Sequence, residues 1–125
     1  MAGPAEHLRE ADTNKYRADA FACVGDPWEI VLLFYSALHV MQGYIETKGA
    51  RFAAENHAER WRAICAAPEL RMARAAYKDL QDLSVQVRYD PDFRVAVQDL
   101  QNARDWYAKV RAIVEPKLKR AAGIP

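Results

Sequence analysis

The chain is poor in the features that usually announce a chemistry. It has two cysteines, Cys23 and Cys65, far apart and in no C-x-x-C pattern. That spacing excludes a thiolate metal cluster and a disulfide-stapled scaffold. Two buried free thiols are the expectation, with a single disulfide the alternative. Five glycines are scattered along the chain, and none builds a phosphate-cradling loop. There is no G-x-S-x-G and no recognisable cysteine–histidine signature, so the common hydrolase and kinase chemistries have no vehicle here. The net charge is +1, so no global basic field recruits nucleic acid, and any such binding needs a local patch. The three histidines, His7, His39 and His57, are spread out without paired carboxylates, which gives no metal-ligand spacing and implies no cofactor. No long apolar run exists either. The stretch Ile30 to Tyr35 falls far short of the ~20 residues a membrane span needs. The first residues, MAGPAEHLREAD, are polar and hold no signal-peptide core. A cytoplasmic protein without a membrane partner is expected.

What the chain does have is helical periodicity. With 125 residues it is long enough for one domain with a real core, residues 1–125, the core lying at about 5–116. The organising stretch is DPWEIVLLFYSALHVMQGYIETKG, residues 26–49. Asp26 can cap the first amides, Pro27 suits the first turn, and Glu29 stands where a capping-box partner reaches back. Lys48 and Gly49 read as its end. Apolar residues cover most of its circumference, so it must be contacted on several sides. Ser36, His39, Gln42 and Glu46 recur at helical intervals and mark one polar edge.

A first helix is expected over residues 5–22, with Leu8, Ala11, Lys15, Ala18 and Ala22 inward, packed at the bundle's edge. Residues 49–56 read as a loop. Asn56 can cap a short helix, HAERWRAICA. The next helix runs from Pro68 to about Tyr89. Asp90-Pro91-Asp92 repeats the Asp-Pro start, and an amphipathic last helix follows from Phe93. Pro116 should end or kink it, leaving a basic, frayed tail at 117–125. Trp106 beside Tyr107 reads as core or as an interface, with a slight lean to core. No segment alternates like a strand. The fold class is all-α: an up-and-down bundle of four main helices plus one short helix.

Two residue groups could carry chemistry. Tyr77, Ser84 and Arg88 fall near one helical face, because seven residues make about two turns and four make about one. They are either hydrogen-bonded polar tips at the core's rim, with Arg88 paired to an acid, or a pocket in which Arg88 grips an anion. The second group is His39 on the long helix, with His57 and Arg60 one turn apart where the short helix opens. A helix start with a histidine and an arginine favours an anion; a solvated polar turn is the plain alternative. His39 also reads as an ordinary hydrogen-bonded core histidine.

The run WEIVLLFYSALHVMQGYIE, then His57-Ala-Glu-Arg60, Tyr77-Lys-Asp-Leu80 and Ser84-Val-Gln-Val-Arg88-Tyr89 together resemble the prokaryotic HEPN domains over residues 26–114. The resemblance implies a helical bundle, commonly a homodimer, with a link to nucleotide or RNA binding. Many such proteins are ribonuclease toxins or partners of an antitoxin-type protein. It also implies an arginine followed four to six residues later by a histidine. Here Arg88 is followed by Tyr89-Asp-Pro-Asp-Phe-Arg94, with no histidine. Arg51 and His57 have that spacing, but before the short helix. The expectation is a binding module using Arg88, Ser84, Tyr77, His57, Arg60 and His39. The alternatives are a metal-independent ribonuclease using Arg88 with His57 or His39, and a bundle that only dimerises or docks on another protein.

Overall fold

Alternating directions follow directly from which side chains meet. In the computed structural model, which describes residues 2–49 and 54–125, the elements are α1 (Pro4–Cys23), α2 (Trp28–Glu46), α3 (His57–Ala66), a 3-10 segment (Pro68–Ala73), α4 (Arg74–Tyr89) and α5 (Val97–Ala122). His7 meets His39 and Ala11 meets Ser36, so α1 runs antiparallel to α2. Glu69 meets Tyr44 and Tyr77 meets Phe34, so α4 is also antiparallel to α2. Glu29 meets Arg104 and Ser36 meets Tyr107, so α5 runs parallel to α2. This is an up-and-down, all-α bundle, with no strand among the described residues.

α2 is central because it packs on α1, α4 and α5. Ile30, Phe34, Val40, Met41 and Ile45 are fully buried, as a helix apolar on most sides requires. No helix is long and apolar enough to cross a membrane among the described residues. Asp26 does cap α2: its Oδ1 accepts the Trp28 amide at 2.9 Å. Asn56 caps α3 by accepting from the Glu59 amide at 2.8 Å. Gly49 takes φ +97°, a conformation that favours glycine.

Several local expectations are corrected. Glu29 forms no capping box; it is 4% exposed and receives two hydrogen bonds from Arg104. The inner stripe of α1 is His7, Leu8, Ala11, Asn14 and Ala18, and Lys15 lies to one side. The helix expected from Pro68 opens as a 3-10 turn before α4. α5 starts at Val97, not Phe93. Asp90 only closes a turn onto the Asp92 amide, and the working cap is Asp99, whose carboxylate accepts the Ala96 amide at 2.8 Å. Both cysteines are free and exposed, not buried. Tyr107 is core and Trp106 packs beside it.

The largest correction is at Pro116. It neither ends α5 nor leaves the tail frayed, because the helix continues to Ala122. Proline removes the hydrogen bond to the carbonyl four residues back. That residue, Ala112, is exposed, so water can serve its carbonyl. The following turn then places Leu118 in the core at 0% exposure, against Gly43. Gly123 in the left-handed region closes the helix, with the Ile124 amide bonded to the Lys119 carbonyl at 2.8 Å. The expected loop over residues 49–56 and the Arg51 match lie partly outside the described residues, at 50–53.

Candidate functional site

Phe34, fully buried on α2, is the hub of the site. Its ring centroid lies 5.6 Å from Tyr35, 5.8 Å from His57 and 5.8 Å from Tyr77, and the Arg88 guanidinium sits 5.9 Å from it. Two aromatic side chains from α2, one turn of α3 and the face of α4 therefore converge. Residues forty and more positions apart meet because α3 and the 3-10 turn return the chain alongside α2.

Arg88 is half-buried, and its Nη1 donates to the Tyr35 hydroxyl at 2.8 Å. Its guanidinium also stands 5.4 Å from the Tyr35 ring centroid and 5.0 Å from that of Tyr89. Arg60 is more buried, at 7% exposure. Its Nε donates to Gln42 Oε1 at 2.8 Å, and its Nη1 lies 3.2 Å from His57 Nδ1. A guanidinium cannot accept, so His57 Nδ1 is the acceptor and a neutral His57 carries its proton on Nε2. Burial, then the charges of Arg60, Arg88 and Lys78, hold the His57 pKa below its ordinary value. The imidazole is thus neutral at pH 7, with Nε2–H as its remaining polar function.

Neither Arg60 nor Arg88 has a carboxylate partner among the described residues. Across α2, Arg104 is held bidentately by Glu29, and Arg111 by Asp12 and Glu115. A guanidinium taken out of water without a counter-charge is costly. The helix start itself is less open than its sequence implied: Asn56 Oδ1 accepts the Glu59 amide, and the Glu59 carboxylate sits in the same turn, accepting from the Glu55 amide and the Asn56 side chain.

Two hydroxyls on α4 are buried without hydrogen-bond partners: Tyr77 at 1% exposure and Ser84 at 0%. Burial pushes the Tyr77 pKa up to about 12, although the charge of Arg60 and the approach of its guanidinium, short of a well-formed hydrogen bond, pull the other way. These residues are therefore not the satisfied polar tips of an ordinary core rim.

His39 does not join this group. Its Nδ1 lies 2.9 Å from His7 Nδ1, and His7 Nε2 lies 3.1 Å from Glu46 Oε1. Burial and the neighbouring His7 lower its pKa, Glu10 opposes that, and Arg60 adds to it. Gln42 joins the two clusters. Its Nε2 donates to Glu46 Oε1 at 3.2 Å and to the Ala54 carbonyl at 3.0 Å, while its Oε1 receives Arg60. The polar edge of α2 is thus a bracing line for Arg60. His7 was missed in the sequence, yet it belongs to a legible stripe: His7, Ala11, Asn14 and Ala18 recur at four, three and four residues. No cluster of three or more metal-ligating side chains occurs among the described residues. Compared with known proteins, the chain matches no family model, no curated protein and no solved structure.

Proposed function

We propose that the protein is a binding module for a phosphate-bearing ligand, a nucleotide or an RNA phosphate, gripped by Arg88 and Arg60 with the His57 Nε2–H. The carrying observation is that Arg88 and His57 meet at one hub, that Arg60 is bonded to His57, and that these side chains have neutral partners only and offer donors rather than acceptors. An anion supplies the missing counter-charge, and charge-assisted hydrogen bonds to it are the strong ones. Tyr77 and Ser84, both without partners, line the same face of α4. On this reading the HEPN-like pattern describes a cytoplasmic binding bundle that pairs with itself or with an antitoxin-type protein.

The test is thermal unfolding across a nucleotide panel, with Arg88→Ala and Arg60→Gln beside the wild type. A ligand at a hundred times its Kd stabilises the native state by about 2.7 kcal/mol, on the order of 10 °C for a domain of this size. Arg88→Ala should abolish the shift. No shift in the wild type at millimolar nucleotide and low salt refutes the reading.

A second reading, a metal-independent ribonuclease, draws on one observation: His57 is held neutral beside two arginines. A general base must accept a proton. While Arg60 occupies Nδ1 and the proton sits on Nε2, His57 cannot. Cleavage by this site therefore requires Arg60 to release Nδ1. RNA cleavage in EDTA that is lost in both His57→Ala and Arg88→Ala would establish it.

A further inference from the structure

A second candidate site lies on the opposite side of α2. α1 and α5 both pack on α2 but scarcely touch each other, and a cavity of about 580 Å3 opens between them. Leu33 floors it, Ala22 of α1 and Ala108, Ala112 and Pro116 of α5 form apolar walls, and Tyr107 closes one side. Two exposed alanines one turn apart on α5 keep that wall low, where longer side chains would fill the groove.

Its electrostatics are the reverse of those around Arg88. Lys15, Arg104 and Arg111 line it against Asp19, Glu29 and Glu115. Each of these cations is already engaged: Lys15 with Asp19, Arg104 with Glu29, and Arg111 with Glu115 and Asp12. The hydroxyls are engaged as well. Ser36 donates to the Ala11 carbonyl at 2.6 Å, which leaves Tyr107 to donate to Ser36 Oγ at 2.9 Å. Arg111 then donates to the Tyr107 oxygen at 3.0 Å. An incoming ion or strong hydrogen-bonding group would have to displace a partner already in place. What the cavity offers is apolar area.

The dimensions choose among apolar occupants. The α5 wall from Arg104 to Pro116 is about 18 Å long at the helical rise. A groove of this length and volume accommodates a hydrocarbon chain or an aromatic plate. The volume falls in the ~300–1,000 Å3 range of small-molecule sites. We propose that this cavity binds one uncharged apolar small molecule, an aromatic or short-chain aliphatic compound, independently of the anion site.

The probe is the uncharged fluorophore N-phenyl-1-naphthylamine, titrated into the wild-type protein, Ala112→Trp, Ala108→Glu and Arg88→Ala. Both alanine positions are exposed, and unchanged circular dichroism would confirm that the variants fold. Expected is saturable one-to-one binding, weakened at least tenfold by Ala112→Trp and by Ala108→Glu and unchanged by Arg88→Ala. Absence of saturable binding up to the probe's solubility overturns the proposal. Binding that survives both alanine substitutions also overturns it. So does a solution dimer that Ala108→Glu dissociates, because a second copy then covers the cavity.

Discussion

Leu118 lies beyond a proline that local rules treat as a helix end, and its truncation tests whether that turn is part of the fold. Leu118 is fully buried, so Leu118→Ala should cost about 2–5 kcal/mol, the range for buried leucines that leave a cavity. A frayed tail would cost nothing measurable. The partner position sharpens the test. A Cβ added at Gly43 would stand 3.2 and 3.3 Å from the two Leu118 methyls and 3.1 Å from His7 Cβ. Gly43→Ala gains about 1 kcal/mol of helix propensity and loses about 1–3 kcal/mol to overpacking. In the wild-type background it should therefore be neutral to destabilising by up to about 2 kcal/mol. In the Leu118→Ala background the methyls are gone while the 3.1 Å approach to His7 Cβ remains, so the same substitution should cost less than it does in the wild type. Urea unfolding of the four proteins at pH 7.5 gives the cycle, with a coupling of about 0.5–3 kcal/mol expected for residues in contact. A Leu118→Ala loss below about 0.5 kcal/mol, in the range of an ordinary surface substitution, refutes the docked turn. Additivity of the pair refutes the contact.

Three further outcomes are expected. Tyr77→Phe removes a buried hydroxyl that has no partner, so it should leave stability unchanged or raise it by up to about 1–3 kcal/mol, the penalty of an unsatisfied group; urea midpoints read this. His39 and His57 both have folded pKa values below 6.5, so the unfolded chain takes up protons first as the pH falls. Stability is then fully present above pH 6.5 and erodes toward the lowered folded values, and His39→Asn should flatten the difference between midpoints at pH 7.5 and 5.5 without removing the His57 share. Arg104→Ala strips the nearly buried Glu29 carboxylate of its bidentate partner, and should cost about 1–3 kcal/mol by denaturant unfolding, more than the same change at exposed Arg62.

What was legible in the sequence was whatever a short window controls. Asp26 and Asn56 could be read as caps because a cap acts within three residues of itself. Tyr77, Ser84 and Arg88 could be placed on one face because that face repeats along a single helix. The same local reading failed where a distant residue decides. Pro116 carries a stop signal, yet the burial of Leu118 against Gly43 outweighs it, and those two residues are far apart in the chain. His7 was passed over because its partners, His39 and Glu46, come from another helix.

The charge pattern shows the same limit more sharply. A net charge of +1 implies an electrically neutral surface, and as an average it is. Folding divides it unevenly about α2. Glu29, Asp12 and Glu115 gather on the α1–α5 side and absorb Arg104 and Arg111. Arg60 and Arg88, on the α3–α4 side, are left with an amide, an imidazole, a hydroxyl and a carbonyl. Neutral groups such as these orient a guanidinium but do not discharge it. Gln42, itself braced by Glu46, fixes where the Arg60 charge sits. A protein gains nothing in stability by burying a positive charge beside such partners. Its retention on one side, while every comparable charge on the other is paired, is accounted for if an anion from outside the chain completes the site.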